Sequence, residues 1–104
     1  MSSRVTVYVT IGNSDDKLSQ QQWSQFHRDV DRVIRKWGHV IHGQWVSEST
    51  SAYQNACWCF EGLLSEFVRR EMTADLRSLA VQYNQDSIAW AEVRDVTFLG
   101  PTVE

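Results

Sequence analysis

Residues 53–61 read YQNACWCFE. The run is short, rich in aromatic and small apolar residues, and bounded by polar SESTSA on one side and Gly62 on the other, which is the pattern of a strand in a core. Before it lies a second run of the same kind, residues 39–48, centred on VIHGQWV. Gly43 in its middle predicts a bulge or a close backbone approach. Two strands therefore follow one another with only a polar connection between them.

The pattern on either side is helical, and beyond each helix is one more strand. Residues 4–11 alternate, with Val5, Val7, Val9 and Ile11 on one face and Thr6, Tyr8 and Thr10 on the other. Gly12 ends that strand, and GNSDD is dense in turn-forming residues. Ser19 is placed to cap a helix with Gln22 as its capping-box partner, and Leu18 and Trp23 take the positions of a hydrophobic staple. Trp23, Phe26, Val30, Val33, Ile34 and Trp37 follow at helical spacing, with Asp31 and Arg35 paired on the outer side and Gly38 as the stop.

After Gly62 a second helical stripe runs through Leu64, Val68, Met72, Leu76, Leu79 and Tyr83, with Glu66 and Arg70 outside and Asn84 at its end. SIAWAEV, residues 87–93, predicts a fourth strand, and DVTFLG a short fifth before Pro101. The order strand, helix, strand, strand, helix, strand, with right-handed crossovers, predicts an α+β, ferredoxin-like βαββαβ domain over residues 1–104. Its four-stranded antiparallel sheet takes the order 4-1-3-2, both helices lie on one face, and the other face is left open for function or oligomerisation.

Composition narrows the function classes. A chain of 104 residues supports one core, and 42% hydrophobic with 22% charged residues is a globular balance. A net charge of −3 opposes broad contact with a phosphate backbone, although a local pocket for a small nucleotide is compatible with it. MSSRVTVYV has neither the charge nor the apolar length of a signal peptide or membrane span, so a cytoplasmic protein is expected. Cys57 and Cys59 are two apart on one strand, which strains a direct disulfide and predicts reduced thiols.

Four places could carry function. Tyr8, Trp45, Trp58 and Trp90 could form an aromatic platform on the open face if the cysteines fit beneath the helices and Trp58 points outward. Such a platform serves either a homodimer interface or, as in RNA-recognition domains, base stacking; the acidic balance favours the dimer. Asn13, Ser14, Asp15 and Asp16 sit where a strand gives way to a helix, a position that can hold an anion or simply turn the chain. Gln54 and Asn55, and Gln85, Asp86 and Ser87 before the fourth strand, add polar groups at other strand ends. Catalysis would call on His39, His42 or a cysteine, but no catalytic, cofactor or metal-site spacing is present.

The segments IGNSDDKLS (residues 11–19), YQNACWCFE (residues 53–61) and NQDSIAWAE (residues 84–92) resemble a family of small proteins encoded by phages of actinobacteria. The resemblance spans the chain from the first strand to the fourth and carries no known activity, so no catalytic residue transfers. It implies a phage origin and the cytoplasm of an infected bacterium. Together these features predict a non-enzymatic binding module, homodimeric and without a cofactor, that engages a host protein or a small polar ligand; the alternatives are a small enzyme using His42 or a cysteine, or an RNA-recognition-like platform.

Overall fold

The computed structural model describes residues 4–13, 16–38, 40–48, 53–95 and 97–102. Its elements are β1 (Arg4–Gly12), α1 (Gln20–Trp37), β2 (Val40–Val46), β3 (Asn55–Leu63), α2 (Glu66–Gln82) and β4 (Ala89–Val93). The strands form one antiparallel sheet in the order β2-β3-β1-β4, the ferredoxin-like arrangement expected from the pattern of elements.

Local chemistry accounts for the element ends. Ser19 accepts a hydrogen bond from the Gln22 amide while Gln22 Oε1 accepts one from the Ser19 amide, completing the capping box that starts α1. α2 starts in a similar way, with Ser65 accepting from the Val68 amide, so Leu64 is a buried residue ahead of the helix rather than its first turn. Asn84 follows the end of α2 with φ 54°, the left-handed conformation that Asn tolerates better than most residues. Gly38 also ends its helix, but in an extended conformation. Its glycine is required by space: a Cβ there would stand 2.8 Å from the Ile34 carbonyl oxygen and 3.3 Å from the Phe60 ring.

The phase of β3 is opposite to the platform expectation. Val9 pairs with Trp58 and Val7 with Phe60, so both aromatics share the helix-facing side with the β1 valines, and both are fully buried. Trp58 Nε1 donates to Asp31 Oδ1 of α1 at 3.0 Å, and its ring lies 5.0 Å from that of His27. The cysteines lie on the open face instead, Cys59 opposite Tyr8 and Cys57 opposite Thr10. Trp90 pairs with Val9 and also turns toward the helices, edge-on to Phe60. The expected quartet therefore divides: Tyr8 and Trp45 are on the open face, Trp58 and Trp90 in or against the core.

Three of the five tryptophans place their indole N–H on a carboxylate, which explains how so many fit in a small core. Trp58 uses Asp31, Trp37 uses Asp75 at 2.9 Å to join α1 to α2, and Trp90 uses Glu92 at 3.1 Å. Two ion pairs expected along the helices come out differently. Asp31 meets Arg35 at 2.9 Å as the spacing predicts, whereas Glu66 reaches Arg69 rather than Arg70. The bulge predicted at Gly43 is present as a register shift between Ile41 and Gly43, and the Trp45 ring lies over the glycine. Among the described residues, 97–102 form no fifth strand.

Candidate binding cleft at the strand ends

Asn13 organises the loop after β1. It is 5% exposed; its Oδ1 accepts from the Leu18 amide at 3.0 Å, and its Nδ2 donates to the Leu18 carbonyl at 3.0 Å and to Gln54 Oε1 at 3.2 Å. Its own amide donates to the Gln54 carbonyl at 2.8 Å. Gln54 in turn exchanges two side-chain hydrogen bonds with Gln20 in the first turn of α1, at 2.9 and 3.0 Å. Asn13 and Gln54, both expected to contact a ligand, are thus committed to holding the β1 loop, the start of β3 and the start of α1 together. Asp16 is exposed with φ 58°, and its amide donates to the Asn13 carbonyl; Ser14 and Asp15 lie outside the described residues.

The remaining polar candidates meet. Thr10, Gly12, Asn55, Gln85, Asp86, Ser87 and Ala89 border a cleft of about 230 Å³, so residues from three distant parts of the chain come together at one end of the sheet. The register puts Thr10 beside Ala89 and Gly12 beside Asn55, which assigns these two pairs to the open face. A Cβ at Gly12 would stand 2.9 Å from Asn55 Oδ1, so a larger residue there would turn the Asn55 side chain aside. Asp86 pairs with Lys17 at 3.3 Å, and Ser87 is exposed. The cleft presents amide, hydroxyl and carboxylate groups, the chemistry of hydrogen-bonded recognition of a small polar molecule.

A second, larger cavity of about 510 Å³ lies on the other side of the Gln85–Asp86–Ser87 segment, between α2 and β4. Its lining mixes apolar Leu76, Ala80, Ile88 and Trp90 with polar Thr73 and Arg77 of α2. Sequence reasoning missed it. The spacing of Thr73, Leu76, Arg77 and Ala80 marks one helix face, but the depth of a groove depends on how far that face stands from the edge strand, which periodicity does not encode.

The open face carries the side chains considered for catalysis. His42 Nε2 lies 2.9 Å from Glu61 Oε2, and Arg4 reaches Glu61 Oε1 at 3.3 Å. These two partners hold the Glu61 carboxyl below the usual carboxylate range, His42 first and Arg4 second. His42 is thus engaged by a carboxylate rather than by a thiol, and His39 lies outside the described residues. Thr10 Oγ1 is 3.4 Å from Cys57 Sγ, and Cys59 pushes the Tyr8 phenol above its ordinary value, mainly through hydrogen bonding. Among the described residues, no three His, Cys, Asp or Glu side chains converge as a metal site would require, and no helix is long and apolar enough to cross a membrane.

No protein-family model matches the chain, and no curated protein does. Solved structures match by fold. A de novo designed protein, Foldit4, superimposes with a TM-score of 0.62 at 8% identity over 90% of this chain and all of its own. A dimeric ferredoxin-like protein of unknown function from Thermobifida fusca gives 0.58 at 11% identity over 88% of this chain and 91% of its own. A phage SAM lyase in complex with S-methyl-5'-thioadenosine gives 0.51 at 13% identity over 89% of this chain and 82% of its own. At such identities the likeness establishes the ferredoxin-like α+β fold, and a designed protein among the matches underlines that the fold by itself carries no activity.

Proposed function

We propose that this chain is a non-enzymatic binding module of phage origin, working in the cytoplasm of the infected bacterium, that captures a small polar ligand in the strand-end cleft. The observation that carries this reading is the convergence of Gly12, Asn55 and Gln85–Asp86–Ser87, far apart in sequence, on one hydrogen-bonding cleft. The phage SAM lyase holds a nucleoside thioether on the same fold, which makes S-methyl-5'-thioadenosine the first probe to try. Titrated into the ¹⁵N-labelled protein, it is expected to shift the amides of Gly12, Asn55 and Ser87 saturably. Asp86→Ala and Ser87→Ala should each weaken that binding about tenfold, the scale of one lost hydrogen bond to a charged or polar group. If neither this probe nor a panel of nucleosides, sugars and amino acids moves those amides at millimolar concentration, while the chain still captures a host protein, the module is a protein binder instead.

The same reading includes a homodimer through the open sheet face. Tyr8 is 40% and Trp45 54% exposed there, no helix covers them, and the Thermobifida fusca neighbour is described as dimeric. Sedimentation should give twice the 12.1 kDa chain mass at micromolar concentration, reduced to one chain by Tyr8→Asp with Trp45→Asp. A wild-type chain that stays at 12.1 kDa removes the dimer and leaves the cleft untouched.

A further inference from the structure

The cavity between α2 and β4 differs in chemistry from the strand-end cleft. Its volume of about 510 Å³ lies within the range of roughly 300–1,000 Å³ that small-molecule sites occupy. Leu76, Ala80, Ile88 and Trp90 give it apolar surface, and Arg77 and Ser87 are among the polar groups that share the lining. We propose that it binds a small amphipathic carboxylate, an aromatic or branched aliphatic body with one carboxylate head, the body against Trp90 and the head on Arg77 and Ser87.

Most polar groups of the lining are already engaged. Trp90 Nε1 donates to Glu92 Oε1 at 3.1 Å, so the indole offers a ligand its ring and no donor. Thr73 Oγ1 donates to the Arg69 carbonyl at 2.8 Å, and Gln85 Nε2 donates to the Tyr83 carbonyl at 3.1 Å. Asp86 pairs with Lys17 at 3.3 Å, which offsets its charge. Arg77 and Ser87 are different: neither has a hydrogen-bond or ion-pair partner among the described residues. Arg77 stands on α2 and Ser87 on the segment before β4, so two free donors border the cavity from two different walls.

These free groups set the head of the ligand. A guanidinium without a carboxylate of its own is matched by one from the ligand, in the bidentate geometry that suits Arg, and the Ser87 hydroxyl can donate to the same oxygens. The apolar groups set the body, because Leu76, Ile88 and the Trp90 ring present area that a flat or branched hydrocarbon removes from water. A sugar would leave most of its hydroxyls against that hydrocarbon without partners. The ligand is thus opposite in character to the polar one assigned to the strand-end cleft, and the two readings stand or fall separately although Gln85, Asp86 and Ser87 border both spaces.

Naphthoate and naphthylmethanol, which share a ring system and differ in the charged head, test the proposal on the ¹⁵N-labelled full chain. Naphthoate should shift the Ala80 amide and the Trp90 indole N–H saturably and bind about tenfold more tightly than the alcohol, the scale of one hydrogen bond to a charged group. Arg77→Gln changes an exposed residue without a described partner, so folding is preserved; it should remove that preference, and Arg77→Lys should restore part of it. Ala80→Trp fills the cavity and should abolish binding of both probes, with unchanged circular dichroism as its folding control. Equal affinity for the acid and the alcohol in the wild type, or a preference that survives Arg77→Gln, overturns the proposal. Naphthoate shifts confined to Gly12 and Asn55 would overturn it by sending the carboxylate to the strand-end cleft, and so would an unmoved Ala80 and Trp90 at millimolar naphthoate.

Discussion

Asn13 makes three side-chain hydrogen bonds at 5% exposure, two of them to the peptide groups of Leu18. Truncation leaves a buried N–H and a buried C=O without partners, so Asn13→Ala should lower the unfolding free energy by about 2–4 kcal/mol in urea denaturation. Asn13→Asp preserves shape and the acceptor but turns an oxygen toward the Leu18 carbonyl and Gln54 Oε1. It should destabilise at pH 7 and recover in part as the pH falls toward about 4, because a carboxyl facing two oxygens takes up its proton above the ordinary Asp value and can then again donate. The sequence presents Asn13 as one of four loop polars, and nothing in GNSDD distinguishes the residue that turns inward from the others. For Trp58 the signal was available: Trp58 with Phe60 buries far more apolar area than two cysteines, so the hydrophobic effect alone favours aromatics under the helices. Alternation fixes the period of a strand and leaves its phase to that comparison.

Between elements, the ties were less legible because they depend on partners far apart in sequence. Glu92 of β4 receives Arg69 of α2 at 2.6 Å, Trp90 at 3.1 Å and Arg94 at 2.8 Å, and its carboxyl is held below its usual value, chiefly by hydrogen bonding from Arg69. A carboxylate depressed in the folded state stabilises above its unfolded pKa, and that contribution disappears as the pH falls through the folded value. Glu92→Gln should therefore cost about 1–3 kcal/mol at pH 7 and progressively less below pH about 4, in urea melts at a series of pH values. Tyr83 gives the opposite sign. Burial and its hydrogen bond to Asp29 of α1, at 2.5 Å, push its phenol up to about 12, so its contribution is complete below the ordinary tyrosine pKa and lost as the pH rises through about 12. Wild type should lose stability more steeply than Tyr83→Phe between pH 10 and 12. The caps and helix stripes that position these groups were readable from spacing alone; the cross-element carboxylates were not.

At the scale of the whole molecule, the sheet has one face closed by α1 and α2 and one face that neither helix covers, and the two thiols lie on the second. Cys57 is half-buried and Cys59 buried, although no helix covers either. Tyr8 and Thr10 lie directly across from them on β1, and Trp45 across from Cys57 on β2, so neighbouring side chains on the same face supply the cover. In a single copy a reagent approaching from the open side therefore meets Cys57 sooner than Cys59. A second copy seated on Tyr8 and Trp45 would lie over the row Trp45, Cys57, Thr10 and Ala89, which crosses the whole sheet and ends at the polar cleft. Alkylation of Cys57 by a maleimide, followed by mass spectrometry, should slow several-fold as protein concentration rises through the dimer dissociation constant. The slowing should vanish in Tyr8→Asp with Trp45→Asp, and Cys59 should lag Cys57 throughout. A rate independent of concentration in a protein that sediments as a dimer would place the subunit contact away from the open sheet.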